Sequence, residues 1–80
     1  MYRQAIVTKY LGPTNTKGGR VKAQAEAGSI TLHWDPALNP NANHWLAMKA
    51  LAEKLGWHGE WQGGFLPDGS YVFVHTGRAT

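Results

Sequence analysis

The stretch RVKAQAEAGSITLHW, residues 20–34, decides the fold because apolar and polar side chains alternate along both of its halves. Every second residue is apolar, which is the period of a β-strand with one buried face. A tight turn at Ala27 and Gly28 divides the stretch, so it predicts two strands paired as an antiparallel hairpin. The residues of the predicted buried face are Val21, Ala23, Ala25, Ile30, Leu32 and Trp34.

One further strand precedes this hairpin, and a second hairpin follows near the end of the sequence. Residues 3–10 are rich in β-branched and aromatic side chains and predict a strand. Residues 11–19, LGPTNTKGG, have the composition of a loop. Residues 60–65 and 70–75 flank the sequence LPDG, which is typical of a type I turn, so these two segments predict the second hairpin.

The segment between the two hairpins predicts one helix. Two prolines and three asparagines in residues 35–43 argue against regular structure there, and Asn41 or Asn43 is the expected N-cap. The helix should run to Leu55, with Gly56 in the left-handed conformation that follows many helices. The residues that share its apolar face are Met48, Leu51, Ala52 and Leu55, with Trp45 at the edge.

The predicted order of elements is β-β-β-α-β-β, which indicates an α+β fold. We expect an antiparallel sheet of about five strands, with the helix packed on one face and the other face open to solvent. The 80 residues should form a single compact domain, residues 1–80, with 77–80 as a loose tail. The covered face decides whether Tyr71 and Phe73 are core or contact residues, and the small size of the chain favours the core.

Composition and motifs argue against several classes of function. The sequence has no cysteine, which removes disulfides and thiolate sites and fits a reducing cytoplasm. It shows no secretory signal and no run of about 18 apolar residues, so we expect a cytoplasmic protein without membrane attachment. The four histidines lack the spacing of a metal site, and no nucleophile or carboxylate pair stands out. We therefore predict no metal, no cofactor and no catalysis.

Charge is distributed unevenly along the chain. The first 22 residues carry five basic and no acidic side chains, and the remaining residues carry three basic and five acidic ones. Arg20 and Lys22 share the outward face of one predicted strand, Lys17 lies in the preceding loop, and Lys9 joins them if the first two strands pair. Such a cluster attracts nucleic acid phosphates or an acidic protein. The alternative is that these are ordinary solvent-facing charges that guard against aggregation.

Leu46 departs from the helical pattern. It falls between Lys49 and Glu53 on the charged face, where a monomer gains nothing from an apolar side chain. An exposed leucine there suggests an interface, although single exposed apolar residues are common. The predicted partner-binding residues are Lys9, Lys17, Arg20, Lys22 and Leu46.

Two stretches resemble a known family. They are AIVTKYLGPTNTKGGRVKA, residues 5–23, and ALAEKLGWHGEWQGGFLPDGSYVFV, residues 50–74. Both are similar to small anti-CRISPR proteins of phages and mobile elements, which inhibit type I CRISPR-Cas systems, and type I-C is the system that the resemblance indicates. The resemblance implies a cofactor-free inhibitor in the cytoplasm of a bacterial host.

The resemblance also implies a mechanism. The expected inhibitor binds a subunit of the CRISPR surveillance complex stoichiometrically and prevents target DNA binding. The chain has a formal net charge of +3, so we do not expect it to imitate the charge of DNA. We expect instead that it contacts an acidic patch on the complex or blocks the complex sterically. The alternative function is a small basic module that binds nucleic acid through the same Lys and Arg face.

Overall fold

Five antiparallel strands with one helix across one face form the part of the chain that the structure describes, residues 4–15 and 18–77 of a computed structural model. The strands are β1 (Ala5–Leu11), β2 (Arg20–Ala25), β3 (Gly28–His33), β4 (Glu60–Phe65) and β5 (Tyr71–Gly77), and the helix is α1 (Pro40–Leu55). Their order in the sheet is β3-β2-β1-β5-β4, which places β1 at the centre between the two hairpins. The predicted α+β fold and order of elements are confirmed.

Strand register determines which residues share a face, because successive side chains point to opposite sides of a sheet. Ile6 lies opposite Phe73, and both point toward the helix, where they are buried. Val7 lies opposite Val72, one position further along, and both point to the face that carries no helix. We call this second side the open face.

The core lies between the helix and the other side of the sheet. Its buried apolar residues are Ile6, Val21, Ala23, Ala47, Met48, Leu51, Ala52, Trp61 and Phe73. Phe73 is buried and Tyr71 half-buried on this side, so the prediction that the aromatic pair belongs to the core is confirmed. The helix packs mainly over β1, β2 and β3, and it leaves the same side of β4 and β5 less covered.

The start of the helix differs from the prediction. Its N-cap is Asn39, whose side chain accepts a hydrogen bond from the Ala42 amide at 2.8 Å, and Pro40 is the first helical residue. Proline suits that position because its missing N–H would have no partner there. Asn43, one of the two predicted caps, is instead buried and ties the preceding loop to the helix by accepting from the Asp35 amide at 2.8 Å.

The remaining boundaries agree with expectation to within two residues, but the turn of the first hairpin lies at Glu26 and Ala27 and not at Ala27 and Gly28, because Gly28 pairs with Ala25 as the first residue of β3. Gly56 ends the helix with φ of 73°, as predicted. In the second hairpin the Gly69 amide donates to the Leu66 carbonyl at 3.0 Å, which closes the expected β-turn. Gly77, expected to begin a loose tail, is the last residue of β5 and pairs with Glu60, while 78–80 lie outside the described residues. Within the described chain, no helix is both long and apolar enough to cross a bilayer.

Candidate partner-binding face

The open face brings together three of the four predicted basic residues. In the pairing of β1 with β2, Lys9 lies directly opposite Lys22, and Leu11 lies opposite Arg20. Arg20 is two residues from Lys22 on the same strand, so its side chain points to the same side. We call Lys9, Arg20 and Lys22 the basic cluster. Lys17 lies outside the described residues.

The basic cluster is electrostatically unfavourable in the free protein. Like charges directly opposite on paired strands destabilise a sheet, by roughly 0.2–1 kcal/mol on the scale of cross-strand pairs. Among residues 4–15 and 18–77, no carboxylate forms an ion pair with any member of the cluster. Asp68 is the acidic group that Lys9 influences. The pKa of Asp68 is lowered first by its hydrogen bonds with Ser70 and further by the charge of Lys9.

Arg20 is the most constrained member of the cluster. The residue is half-buried, and its Nε atom is occluded from solvent without a hydrogen-bond partner among the described residues. A buried N–H left without an acceptor costs about 1–3 kcal/mol. The two terminal nitrogens of the guanidinium are not occluded in this way, so they remain available to an acceptor on a partner.

An apolar patch lies beside the basic cluster on the same face. Val7 of β1 and the valines Val72 and Val74 of β5 are all half-buried there, without the helix to cover them. We call these three residues the valine patch. A shallow hollow of about 640 Å³ contains Val7 of the valine patch and Lys9 and Lys22 of the basic cluster, and Glu26 contributes one carboxylate to the same lining. The open face therefore combines positive charge with an apolar border.

In the described strands the open face carries no Trp, Tyr or Phe ring, and its one aromatic side chain is the exposed imidazole of His33, directly opposite Arg20. In the described strands the Trp, Tyr and Phe side chains belong to the helix side, as the opposed pair Ile6 and Phe73 shows. Proteins that bind single-stranded nucleic acid combine positive charge with aromatic platforms. Here the charge and the large aromatic rings lie on opposite sides of one sheet, so this face can contact phosphates but offers a base only the imidazole of His33 for stacking.

Leu46 does not belong to the open face. It lies on α1 and is 48% exposed, which confirms the prediction that it points to solvent, and its neighbour Trp45 is 42% exposed. The helix and the basic cluster are on opposite sides of the sheet. The residues predicted from sequence as one binding set therefore form two separate surfaces.

Sequence reasoning missed a third feature, a group of aromatic residues around His44. From the sequence this histidine is considered as a metal ligand, and in the structure it is 2% exposed. Its Nδ1 lies 2.6 Å from Thr8 Oγ1, and its ring stacks on Tyr71 with centroids 4.0 Å apart. Burial lowers the pKa of His44, so the imidazole is neutral near pH 7. The sequence did contain a signal for this burial. His44 precedes Ala47 and Met48 by three and four residues, which places it on the same face of the helix as these buried residues.

The described residues contain no group of three or more histidine, cysteine or acidic side chains placed to hold a metal ion. No protein-family model matches the sequence. The searches of curated proteins and of solved structures likewise find no match.

Proposed function

We propose that this chain is a protein-binding module whose open face recognises an acidic surface with an apolar border. The observation that carries the proposal is the position of Lys9 directly opposite Lys22. That arrangement is unfavourable in the free protein, and an acidic surface laid against it turns repulsion into attraction. The valine patch supplies apolar area at the edge of the same contact.

The proposed partner is a subunit of a type I CRISPR surveillance complex, type I-C in particular, and the proposed activity is anti-CRISPR inhibition in the bacterial cytoplasm. Support for this partner comes from the resemblance of residues 5–23 and 50–74 to anti-CRISPR proteins. The net charge of +3 supports contact with an acidic protein patch rather than imitation of DNA.

The proposed mechanism is stoichiometric occlusion without a cofactor. Complementary charge raises the association rate of two proteins, and buried apolar anchors slow their dissociation. In this proposal the basic cluster raises the association rate, and the valine patch slows dissociation. A subunit covered in this way cannot accept target DNA.

The competing function is direct binding of nucleic acid through the basic cluster. Three cations on adjacent strands suit phosphates, and the lack of Trp, Tyr and Phe rings on the open face favours contact with the backbone. Neutralising three phosphates would make the logarithm of affinity fall with the logarithm of salt at a slope of about −0.9 per contact. A protein partner with a valine-lined contact would show a shallower dependence.

The test compares two charge-reversed variants with the wild-type protein. Lys9→Glu with Lys22→Glu reverses the charge of the opposed pair and keeps a like-charge pair on the open face. Because it also removes the attraction between Lys9 and Asp68, folding of this variant is checked by thermal unfolding before binding is measured. Lys49→Glu with Lys54→Glu changes the net charge by the same amount on α1, on the other side of the sheet. Since Lys54 Nζ donates to the Ser29 carbonyl at 3.1 Å, this variant loses one hydrogen bond, and its folding is also checked by thermal unfolding. Binding of each to a purified type I-C surveillance complex and to a random DNA duplex is measured at two salt concentrations.

We expect the wild type to bind the complex with one-to-one stoichiometry and the open-face variant to bind it at least about tenfold more weakly, a loss of about 1.4 kcal/mol. The helix variant should bind within about twofold of the wild type. Equal losses in both variants would show that net charge matters and the open face does not. Salt-steep binding to DNA without binding to the complex would replace the proposed function with the nucleic-acid module.

A further inference from the structure

A pocket with aromatic walls lies on the helix side of the sheet, where β1 and β3 end and β5 begins. Its volume is about 640 Å³. The lining residues are Tyr10, Trp34, Pro40, His44, Phe65, Leu66, Pro67, Gly69 and Tyr71. We call this the aromatic pocket. It lies on the helix side of the sheet and shares no lining residue with the basic cluster, so its assignment does not rest on the proposed function.

The rings of the aromatic pocket meet nearly at right angles, as the walls of a box do. Trp34 lies 4.8 Å from Tyr10 at an interplanar angle of 69°, and 5.8 Å from His44 at 82°. Phe65 lies 5.6 Å from Tyr71 at 67°. Rings set at such angles present both faces and edges to one volume, and the face of an aromatic ring is its electron-rich side.

The inner rings are fixed in place by contacts with the rest of the fold. His44 is bonded to Thr8 and stacked on Tyr71, whose hydroxyl is hydrogen-bonded to Oδ1 of Asn41. The amide of Trp34 donates to the Gly19 carbonyl at 3.0 Å. A pocket with such walls is largely formed before a ligand arrives, which lowers the entropic cost of binding.

The outer rings are unusually exposed for aromatic side chains in so small a protein. Phe65 is 74% exposed and Tyr10 is 49% exposed. Neither can contribute much to the core, where large side chains are needed most. Their exposure at the rim of a formed pocket is explained if they close over a ligand.

The charge of the pocket selects the kind of ligand. His44 is the one lining residue with a basic side chain, and its burial keeps it neutral near pH 7. Asp68 lies in the turn between two lining residues, Pro67 and Gly69, without lining the pocket itself, and its pKa is lowered by hydrogen bonds with Ser70 and further by the charge of Lys9, so it is ionised. Neutral ring faces favour a cation over an anion, and the nearby carboxylate adds to that preference by the part of its charge that Lys9 does not offset.

We propose that the aromatic pocket binds an organic cation of the quaternary ammonium type, held by cation–π contacts with Tyr10, Trp34 and Phe65. Ring faces attract such cations by about 0.5–2 kcal/mol per favourable contact, more when the cation is desolvated. The group can come from a free small molecule or from a trimethylated lysine on a partner protein. The chemistry recognised is the same in both.

The first test separates a cation site from an ordinary apolar pocket. Choline and its uncharged carbon isostere, 3,3-dimethyl-1-butanol, have the same shape and differ in charge. Each is titrated into the wild-type protein while the indole N–H signal of Trp34 is followed by NMR. Saturable binding of choline, at least about fivefold tighter than that of the isostere, is expected. Equal or tighter binding of the isostere, or no binding of choline, would overturn the proposal.

A second arm identifies the source of the cation. A short peptide with one trimethyllysine is compared with the same peptide carrying unmodified lysine and with choline. Tighter binding of the methylated peptide than of choline would assign the pocket to a protein side chain. Equal affinities would assign it to the ammonium group alone, as in a small-molecule site.

Matched variants locate the site. Phe65→Leu and Tyr10→Leu keep apolar volume and remove a ring, and both positions are exposed enough for the fold to persist. Each should weaken choline binding about threefold to tenfold. Trp45→Leu removes an aromatic side chain of similar exposure, 42%, that does not line the pocket, and it should leave choline affinity unchanged. Wild-type affinity in both pocket variants would place the cation elsewhere and refute the assignment.

Discussion

The two sides of the five-stranded sheet carry different kinds of side chain. On the helix side, closely packed rings and aliphatic residues form the core and the walls of the aromatic pocket. On the open face, charge and valine side chains face solvent with no covering element. The helix side is explained by folding except at its exposed rim. The open face is not, because folding alone gives no reason to place Lys9 against Lys22.

This difference between the two sides indicates which features of a small domain point to a binding function. A buried residue is explained by the free energy that its burial contributes, so it needs no partner. A feature that weakens the free protein, such as a like-charge pair or an exposed phenylalanine, needs another explanation. Both candidate sites of this protein are of the second kind, and they lie on opposite sides of the sheet.

Two adjacent glycines of β4 provide the most direct comparison of the two sides. A Cβ atom on Gly63 would lie 2.6 Å from the ring of Phe73, whereas one on Gly64 would meet nothing within 4 Å. Phe73 is buried and cannot move away freely. We therefore expect Gly63→Ala to lower the free energy of unfolding by about 1–3 kcal/mol, as overpacking does, measured by urea denaturation.

Gly64→Ala is the matched control because it adds the same methyl group on the open face. It should leave stability unchanged or raise it by up to about 1 kcal/mol, since alanine restricts the unfolded chain more than glycine does. Equal losses in both variants would mean that β4 tolerates no Cβ for reasons of backbone conformation, and that the contact with Phe73 is not the cause.

His44 gives the helix side of the protein a dependence on pH. Burial lowers its pKa, so in the folded state it stays neutral while the unfolded chain takes up a proton below about pH 6.5. The stabilisation is complete above that pH and is lost as the pH falls below it. The groups that face the ring are Thr8 of β1, Tyr71 of β5 and Trp34, and none of them is a carboxylate or a cation.

The measurement is thermal unfolding between pH 7.5 and 5. The free energy of unfolding should fall with acidification at up to about 1.4 kcal/mol per pH unit, and His44→Gln should remove most of that slope while lowering stability overall. His33→Gln is the control, since His33 is exposed on β3. A slope that survives in the His44 variant and disappears in the His33 variant would contradict the prediction.

The sequence predicted the fold more fully than the sites, and particular residues show why. Alternation and turn chemistry are local signals, so the strands and the turn at 66–69 could be read directly. Lys9 could be placed beside Lys22 only on the condition that β1 pairs with β2, and no local sequence pattern decides which strands pair. The pocket around His44 was not predicted, because its rings come from three strands, one helix and the loop after β3, and no local sequence pattern indicates that they meet.

The smallest expected effect separates stability from binding at a single position on the open face. Lys22→Glu replaces the like-charge pair with an attractive one, since Lys9 remains directly opposite. The free energy of unfolding should rise by about 0.2–1 kcal/mol in low salt, and the rise should shrink at high salt. The same substitution should weaken binding to an acidic partner, so the protein becomes both more stable and less active.

Lys49→Glu on α1 is the control, and it should change neither stability nor binding by more than about 0.5 kcal/mol, because it removes no cross-strand repulsion. Denaturation and binding are both measured on one preparation of each variant, so the change in stability and the change in affinity can be compared directly. If Lys22→Glu left stability unchanged and binding intact, the basic cluster would be ordinary solvent-facing charge, and the alternative stated for it from the sequence would be correct.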